Sequence, residues 1–295
     1  MKKLTFYILD VFAEEKYAGN QLVVVREAAA LSGGTMQKIT KEMNYSETTF
    51  ILSDDQRNGG YDVRIFTPEQ EVPFAGHPTL GTAYVIQNEI IKEPVETIIL
   101  NLKVGQIPVT FNYKGEDKDI TWMQQKEPAF AQIIEPEPIS EVLGINTSDI
   151  DERFPVQEVS TGMFFMIVPL KTLDAAKRAK VAKEKYFKLI KDRQAKAILV
   201  FCPETYFQEN DLNVRVFVDY FGVPEDPATG SGNGCLAGYL VKHHYFGKDQ
   251  IDIRVEQGYE IGRPSLLYLK AEQNQGQINV SVGGKVVMVA RGELI

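Results

Sequence analysis

Two side chains in the first third of the chain belong to the types that move protons in enzymes. Glu47 follows Tyr45-Ser46 and precedes the apolar run 48–52, where a helical pattern gives way to a strand pattern. In a closed site, loss of water raises the pKa of such a carboxyl, which suits a general acid/base near neutral pH. His77, in Gly76-His77-Pro78, could hold a proton near a substrate or cap a helix. The alternative for Glu47 is a solvated surface acid.

A second carboxylate lies near a glycine-rich turn in the other half of the chain. Asp226, in Pro224-Glu225-Asp226-Pro227, comes five residues before Ser231. We expect it to assist the same proton transfer, the alternative being a turn residue before a proline. Glu47, His77 and Asp226 are therefore the catalytic candidates.

Two glycine-bearing segments are typical of helix N-termini. Pro78 suits the first helical position because its missing N–H would lack an intrahelical partner there, and Gly76 lets a ligand approach the backbone. Ser231, between Gly230 and Gly232, is a favoured N-cap residue. Unpaired N–H groups and the positive end of the helix dipole bind anions. We expect both segments to hold a small carboxylate, the alternative being that each only caps a helix.

The positions of these segments follow an internal repeat. Each of three segments returns roughly half a chain length later: 63–66 as 214–217, 75–77 as 229–231, and 102–105 as 255–258. Three matches in the same order indicate a duplicated domain rather than a solenoid. If a pseudo-twofold axis relates the halves, both helix starts would face one interdomain cleft.

Local patterns predict alternating strands and helices in each half. Runs rich in Val, Ile, Phe and Tyr predict strands over 4–12, 21–25, 48–52 and 61–66, and over 164–168, 197–201, 213–218 and 251–255. Apolar spacings and helix starts predict helices over 36–43, 78–88, 175–189 and 232–243. We expect the final strand, 286–290, to return to the first half, and the loop 121–138 to be the crossover between the two domains.

The composition excludes several classes of protein. The 295 residues carry 32 Lys+Arg against 40 Asp+Glu, and the net charge of −8 disfavours a nucleic-acid binder. A hydrophobic fraction of 44% fits a globular protein of two domains or one large one. No apolar run approaches the roughly 20 residues that span a bilayer, and the run 4–9 is too short for a signal peptide, so we expect a cytoplasmic protein. The two cysteines, of which Cys235 is expected to be packed inside a helix, and the three histidines lack the spacing of a metal site.

Longer motifs make the chain resemble a known family. RIFTPEQEVPFAGHPTLGTA (64–83) and EDPATGSG (225–232) resemble the phenazine-biosynthesis PhzF-like family, within the diaminopimelate epimerase fold. Shorter matches extend the resemblance over essentially the whole chain: Asp10-Val11-Phe12, Gly19-Asn20, Glu47-Thr48-Thr49-Phe50, Gln257-Gly258, Gly262-Arg263-Pro264-Ser265, Val282-Gly283-Gly284 and Gly292-Glu293-Leu294.

This resemblance implies an α+β protein of two similar sheet-rich barrel domains, each around a central helix and related by a pseudo-twofold axis. The domains would be 1–121 plus 281–295 and 122–280, with the active site in the cleft between them. Members of the family are commonly homodimers, so a homodimer is expected here too.

The resemblance also implies isomerisation by proton transfer without a cofactor or metal. In the family's phenazine enzyme the substrate is a dihydro-hydroxyanthranilate, and the glutamate matched here by Glu47 moves a proton between ring carbons. The matching His77, Asp226 and Ser231 would line the same pocket. Backbone amides around Gly76 and Ser231 would hold the substrate carboxylate, in agreement with the helix-start argument.

The sequence departs from the wider superfamily at two positions and from the family at one. Related epimerases and proline racemases use two cysteines, at places that Ala75 and Thr229 occupy approximately here, so racemisation by two thiols is not expected. Gln21 stands where the family often has proline. We expect it to affect substrate choice while touching none of the catalytic candidates.

Three functions compete. The first is an isomerase that binds a small, cyclic or aromatic-like carboxylate and shifts a proton through Glu47, with His77 and Asp226 as partners. The second is a protein that binds a small carboxylate without turning it over, for which a nearby glutamate would bring no benefit. The third is an amino-acid racemase with bases other than cysteine.

Overall fold

The computed structural model describes residues 3–115 and 118–295, and its contacts divide the chain into two units. Unit 1 comprises Met1–Met123 and Gly283–Ile295, and unit 2 comprises Gln124–Val282. The domain limits 1–121 plus 281–295 and 122–280, and the location of the active site, are not tested by this division and stay predictions.

Strands and helices alternate along the chain. The strands are β1 (Leu4–Val11), β2 (Asn20–Val25), β3 (Glu47–Ile51), β4 (Tyr61–Phe66), β5 (Glu71–Val72), β6 (Thr97–Leu102), β7 (Gly105–Phe111), β8 (Thr121–Gln124), β9 (Ala129–Ile134), β10 (Val156–Ser160), β11 (Phe164–Pro169), β12 (Ala197–Cys202), β13 (Leu212–Val218), β14 (Val223–Asp226), β15 (Gln250–Gln257), β16 (Ser265–Asn274), β17 (Gln277–Gly284) and β18 (Val286–Leu294). The α-helices are α1 (Gly33–Met43), α2 (Gly76–Val85), α3 (Pro136–Leu143), α4 (Leu173–Arg178), α5 (Lys183–Ile190) and α6 (Gly230–Lys242).

The strands of unit 1 form a ladder in the order β18–β1–β2–β3–β4–β6–β7–β8. The pairs β2–β3 and β4–β6 are parallel, and each parallel pair needs a crossover connection. Helix α1 lies in the first of these connections and α2 in the second, while the short strand β5 pairs with β4. The final strand therefore returns to the first half, as predicted.

Unit 2 repeats this order as β9–β10–β11–β12–β13–β15–β16. Its parallel pairs are β11–β12 and β13–β15, and its short strand β14 pairs with β13. Helices α4 and α5 lie in the first crossover, and α6 lies in the second. The duplication that the sequence predicts is thus confirmed strand by strand.

The sheet register corrects one part of the predicted repeat. Strand β4 matches β13 with Tyr61 equivalent to Leu212. Tyr61 pairs with Leu100, and Leu212 pairs with Val255, so Leu100 is the counterpart of Val255. The sequence alignment placed Leu102 there and is wrong by two residues. Short apolar strand segments align almost equally well two positions apart, because side chains on a strand alternate with a period of two.

A buried helix packs against the sheet of each unit. Helix α2 contacts β1, β2, β3 and β6, and α6 contacts β10, β11, β15 and β16. Both helices carry buried residues on nearly every side, which is the pattern of a helix surrounded by other elements. Glycine permits the close approach, since a Cβ on Gly81 would lie 2.5 Å from Leu22 and a Cβ on Gly238 would lie 2.5 Å from Pro128. The predicted α+β fold with central helices is confirmed.

The prediction of one helix over 175–189 is wrong, because the segment forms two helices, α4 and α5. Between them, the backbone N–H groups of Lys180 and Ala182 donate to the carbonyls of Leu143 and Val142, both at 2.8 Å. These carbonyls belong to the end of α3, where they lack intrahelical partners. The contact with α3 therefore ends α4 early, although the apolar spacing continues across the break.

The prediction of a loop over 121–138 is wrong, since the segment contains β8, β9 and the start of α3. The chain does pass from unit 1 to unit 2 within it, between Met123 and Gln124. Pro136 begins α3 at a position where a helix tolerates proline. In the described part of the chain, no helix is long and apolar enough to cross a membrane.

Candidate active site

Glu47 is the first residue of β3, directly after the turn that follows α1. Helix α1 ends at Met43, and the next residue, Asn44, adopts the left-handed conformation with φ 55° and turns the chain toward the strand. On the same turn, the Ser46 hydroxyl donates to Asn20 Oδ1 at 3.4 Å. The predicted helix-to-strand junction at Glu47 is confirmed, and the adjoining end of β2 helps to hold it.

The structure brings His77 next to Glu47. His77 is the second residue of α2 and is only 6% exposed. Its Nε2 atom lies 3.4 Å from Glu47 Oε2. The two residues are 30 positions apart in the sequence, and the packing of α2 against β3 places them together.

The His77 ring is neutral at ordinary pH. Burial lowers the pKa of His77 to about 3, against a backbone hydrogen bond with Gln21 that acts in the opposite direction. Nε2 makes no hydrogen bond with any described residue, so the bond to Gln21 uses Nδ1. Because that bond favours the protonated ring, Nδ1 is the donor, and Nε2 carries the lone pair of the neutral tautomer. A proton on the Glu47 carboxyl can therefore be shared with Nε2.

Gln21 takes part in this arrangement, so the expectation that it touches no catalytic candidate is wrong. It contacts the His77 ring through its backbone. Hydrogen bonds of the main chain do not depend on side-chain type, and the sequence therefore held no signal for this one.

Asp226 ends β14 and is held by two side chains of unit 2. The Thr229 hydroxyl donates to Asp226 Oδ2 at 2.5 Å. The Gln257 amide donates from Nε2 to the Asp226 carbonyl at 2.8 Å and to Thr229 Oγ1 at 3.0 Å. Sequence reasoning gave no role to Gln257, although it stands in the Gln257-Gly258 match to the family.

Both helix starts differ by a few residues from the prediction. Helix α2 begins at Gly76 rather than Pro78, and α6 begins at Gly230, so that Thr229 and not Ser231 is the N-cap residue. Pro78 is tolerated at the third helical position because the first turn has no intrahelical acceptor for its N–H groups. Among the described residues, neither N-cap side chain bonds to the helix that it precedes. In the described structure, the first-turn N–H groups, of Gly76 and His77 in α2 and of Gly230, Ser231 and Gly232 in α6, therefore receive no bond from an N-cap side chain.

Both cysteines of the chain are buried. Cys235 is buried, as predicted, with Sγ 3.7 Å from Thr161 Oγ1, and burial raises its pKa to about 12. A thiol with so high a pKa is a poor nucleophile. Within residues 3–115 and 118–295, no three His, Cys, Asp or Glu side chains are grouped to hold a metal ion.

Comparison with known proteins places these residues in a family context. The chain matches the family model described as phenazine biosynthesis-like protein over residues 9–292. The trans-2,3-dihydro-3-hydroxyanthranilate isomerase of Pseudomonas aeruginosa is 33% identical over 288 residues, which cover 97% of this chain and 98% of that protein. The crystal structure of the Bacillus anthracis phenazine biosynthesis protein of the PhzF family is similar with a TM-score of 0.92 at 27% identity, covering 100% of both chains.

A more distant likeness concerns the fold alone. A probable proline racemase from Agrobacterium radiobacter is similar with a TM-score of 0.61 at 10% identity, covering 99% of this chain and 93% of that one. The architecture is thus shared with the racemases, as the resemblance implied. From its sequence and its structure together, the chain belongs to the phenazine biosynthesis-like, or PhzF, family and is an isomerase.

Proposed function

We propose that this isomerase moves a proton between two carbons of a small, cyclic, unsaturated carboxylate, with Glu47 as the general acid/base. The observation that carries the proposal is the contact of 3.4 Å between Glu47 Oε2 and the neutral Nε2 of buried His77. A protonated histidine would hold Glu47 as a carboxylate by charge attraction. A neutral one lets Glu47 alternate between its two protonation states.

The reaction follows from this pair in two proton transfers. The Glu47 carboxylate accepts a proton from a substrate carbon, and the electron pair of the broken C–H bond spreads into the adjacent double bond and carboxylate. Glu47 then returns the proton to a second carbon, so that the double bond shifts and no atom is gained or lost. Between the two steps, the new Glu47 O–H can donate to His77 Nε2. Acid/base help of this kind contributes roughly 10²–10⁴-fold in rate.

The N–H groups at the starts of α2 and α6 are proposed to bind the substrate carboxylate, at Gly76 in unit 1 and at Gly230, Ser231 and Gly232 in unit 2. The absence of a capping side chain in the described part of both helix starts supports this role. Asp226 is proposed to bind a polar group of the same substrate. The substrate named for the Pseudomonas aeruginosa relative is an anthranilate derivative, whose ring carries a carboxylate and an amino group. We propose a substrate of this class without assigning a pathway.

Hydrogen exchange tests the proposal. We would incubate the protein in heavy water with a panel of cyclic and aromatic carboxylates, including trans-2,3-dihydro-3-hydroxyanthranilate, and follow each C–H signal by NMR. Wild type is expected to exchange one C–H of a panel member and to form its isomer. Glu47→Gln is expected to bind the same compound with at least roughly 10²-fold slower exchange.

A matched control is Glu89→Gln, which removes another partly buried glutamate of unit 1, in contact with Tyr7 and Arg291. It should exchange like wild type. Equal exchange in wild type and Glu47→Gln would remove Glu47 from its proposed role. Binding without exchange in wild type would instead support a carboxylate-binding protein, and inversion of a free amino acid would support a racemase.

A further inference from the structure

Gln257 is a buried amide whose donor and acceptor both bond around the start of α6. It is fully buried in the interior of unit 2. Nε2 donates to the Asp226 carbonyl and to Thr229 Oγ1, while Oε1 accepts from the Thr229 N–H at 3.1 Å and from Asn233 Nδ2 at 2.8 Å. One side chain thus holds the end of β14, the N-cap residue and the first turn of the helix.

These bonds determine the direction of the Thr229 hydroxyl proton. Because the Gln257 amide donates to Thr229 Oγ1, that oxygen acts as an acceptor on the Gln257 side. Its own proton then points to Asp226 Oδ2, at 2.5 Å. A hydroxyl that donates to a carboxylate stabilises the charged form and restricts its rotation. Gln257 therefore acts on the Asp226 carboxylate through Thr229.

The duplicated unit 1 shows that the fold does not need these polar groups. Val72 has the place of Asp226, since Val72 pairs with Ile65 of β4 as Asp226 pairs with Val216 of β13. Ala75 is the N-cap residue of α2, as Thr229 is of α6.

The third member of the set follows from the register of the parallel pairs. Leu100 is the counterpart of Val255, so that Leu102, two positions later, has the place of Gln257. Aspartate, threonine and glutamine in unit 2 thus correspond to valine, alanine and leucine in unit 1. Unit 1 forms the same short strand, turn and buried helix with three aliphatic side chains. If the fold itself needed the polar set, that is Asp226, Thr229 and Gln257, unit 1 would need polar residues at the same places.

We propose that Gln257 is a positioning residue, which orients the Thr229 hydroxyl and thereby fixes Asp226 for the substrate. The inference rests on the proposed function, in which Asp226 contacts the substrate. In unit 1 the corresponding places are aliphatic because the reacting groups there are Glu47 and His77, whose counterparts in unit 2 are Ala197 and Ser231.

The kinetic test uses Gln257→Met, which preserves the volume of the side chain and removes its hydrogen bonds. With trans-2,3-dihydro-3-hydroxyanthranilate or another exchanging member of the carboxylate panel, kcat is expected to fall by roughly 10²-fold through misplacement of Asp226. The matched control is Gln157→Met, since Gln157 is also a buried glutamine of unit 2, bonded to Ala131 and to His243. Its kcat should stay within about twofold of wild type.

A double-mutant cycle separates positioning from general damage to the fold. If Gln257 acts through Asp226, then Gln257→Met should cost almost nothing further in kcat when Asp226 is already Asn. Multiplying losses would show that Gln257 acts elsewhere and would overturn the proposal. Full activity in Gln257→Met would overturn it as well. Full activity in Asp226→Asn would instead overturn the role of Asp226 in the proposed function.

Two further measurements test the proposal through the structure and the stability of variants. Crystal structures of wild type and Gln257→Met should show the Thr229 hydroxyl turned away from Asp226 in the variant, and an unchanged Thr229–Asp226 bond would refute the inference. The triple variant Asp226→Val, Thr229→Ala, Gln257→Leu copies unit 1. It is expected to unfold within a few degrees of wild type while lacking activity. If the triple variant unfolds far below wild type, the polar set is structural and the proposal fails.

Discussion

At the scale of single residues, a neutral histidine next to a glutamate is the feature with most consequence. His77 donates through Nδ1 to the backbone of Gln21, and its unprotonated Nε2 lies 3.4 Å from Glu47. Burial removes water from the ring, and this loss of hydration disfavours the protonated ring more strongly than the hydrogen bond to Gln21 favours it. The free energy of unfolding must therefore depend on pH, because His77 gains a proton more easily in the unfolded chain than in the folded one.

The first prediction concerns the pH dependence of that stability. The pKa of His77 is about 3 in the folded chain and near its ordinary value of 6.5 in the unfolded chain. Between these values the unfolded state binds the extra proton. The free energy of unfolding therefore falls as the pH drops from 6.5 toward 3, by up to about 1.4 kcal/mol per pH unit. His77→Gln should lose this part of the pH dependence, as measured by chemical denaturation between about pH 7 and pH 4.

The control for this prediction is His244→Gln. His244 is exposed and lies 3.1 Å from Asp249, so its replacement should leave the slope of stability against pH almost unchanged. Parallel pH profiles for wild type and His77→Gln would show that the ring is not held neutral.

At the scale of elements, the turn before α6 depends on a close approach of two backbones. Gly258 follows β15 with φ 80°, and a Cβ there would lie 2.5 Å from the Pro227 carbonyl oxygen. The Ser265 hydroxyl donates to the same carbonyl at 2.9 Å. The segment that carries Asp226 therefore packs directly against Gly258, the residue after Gln257. Glycine is required at this position because of its positive φ and because a Cβ would have no space.

The second prediction compares two glycines with the same backbone conformation. Gly276 has φ 85°, and no described atom lies within 4 Å of its would-be Cβ. Gly276→Ala should cost about 1–2 kcal/mol through conformation alone. Gly258→Ala should cost roughly 1–3 kcal/mol more through steric overlap, and should lower activity as well. Equal losses of stability in urea denaturation, with activity retained in both variants, would show that the turn can move away without consequence.

At the scale of the whole molecule, unit 1 is built from both ends of the chain. Strand β18 pairs with β1 from Leu4↔Leu294 to Val11↔Val286, with a bulge between Ile8 and Leu9. β1 in turn pairs with β2, whose first residues adjoin the Glu47 turn and the His77 ring. The last residues of the sequence thus support the site in its first third.

The third prediction is that removal of residues 285–295 disturbs unit 1 first. The β1 amides lose their hydrogen-bond partners on one side, so their hydrogen exchange should become faster by at least roughly tenfold. Amides of β12, in unit 2, provide the internal reference. A chain that lacks only the fully exposed Ile295 is the matched control and should exchange like wild type. If the β1 amides of the shortened chain exchange as slowly as those of wild type, the role given to β18 is wrong.

The sequence by itself determined the features that depend on neighbours along the chain. The helix-to-strand junction at Glu47, the two glycine-bearing helix starts, the buried Cys235 and the duplication were all readable, because short-range patterns and repeated motifs carry them. The family motifs at 64–83 and 225–232 are continuous stretches for the same reason.

Only the tertiary structure decided what depends on distant partners. The break between α4 and α5 arises from carbonyls of α3, and the neutral state of His77 arises from burial and from the backbone of Gln21. Gln257 reaches Asp226 across 31 positions of the sequence, through hydrogen bonds whose partners no local pattern specifies. Side-chain spacing encodes which face of an element is buried. It does not encode which groups meet there, because that depends on how the strands pair.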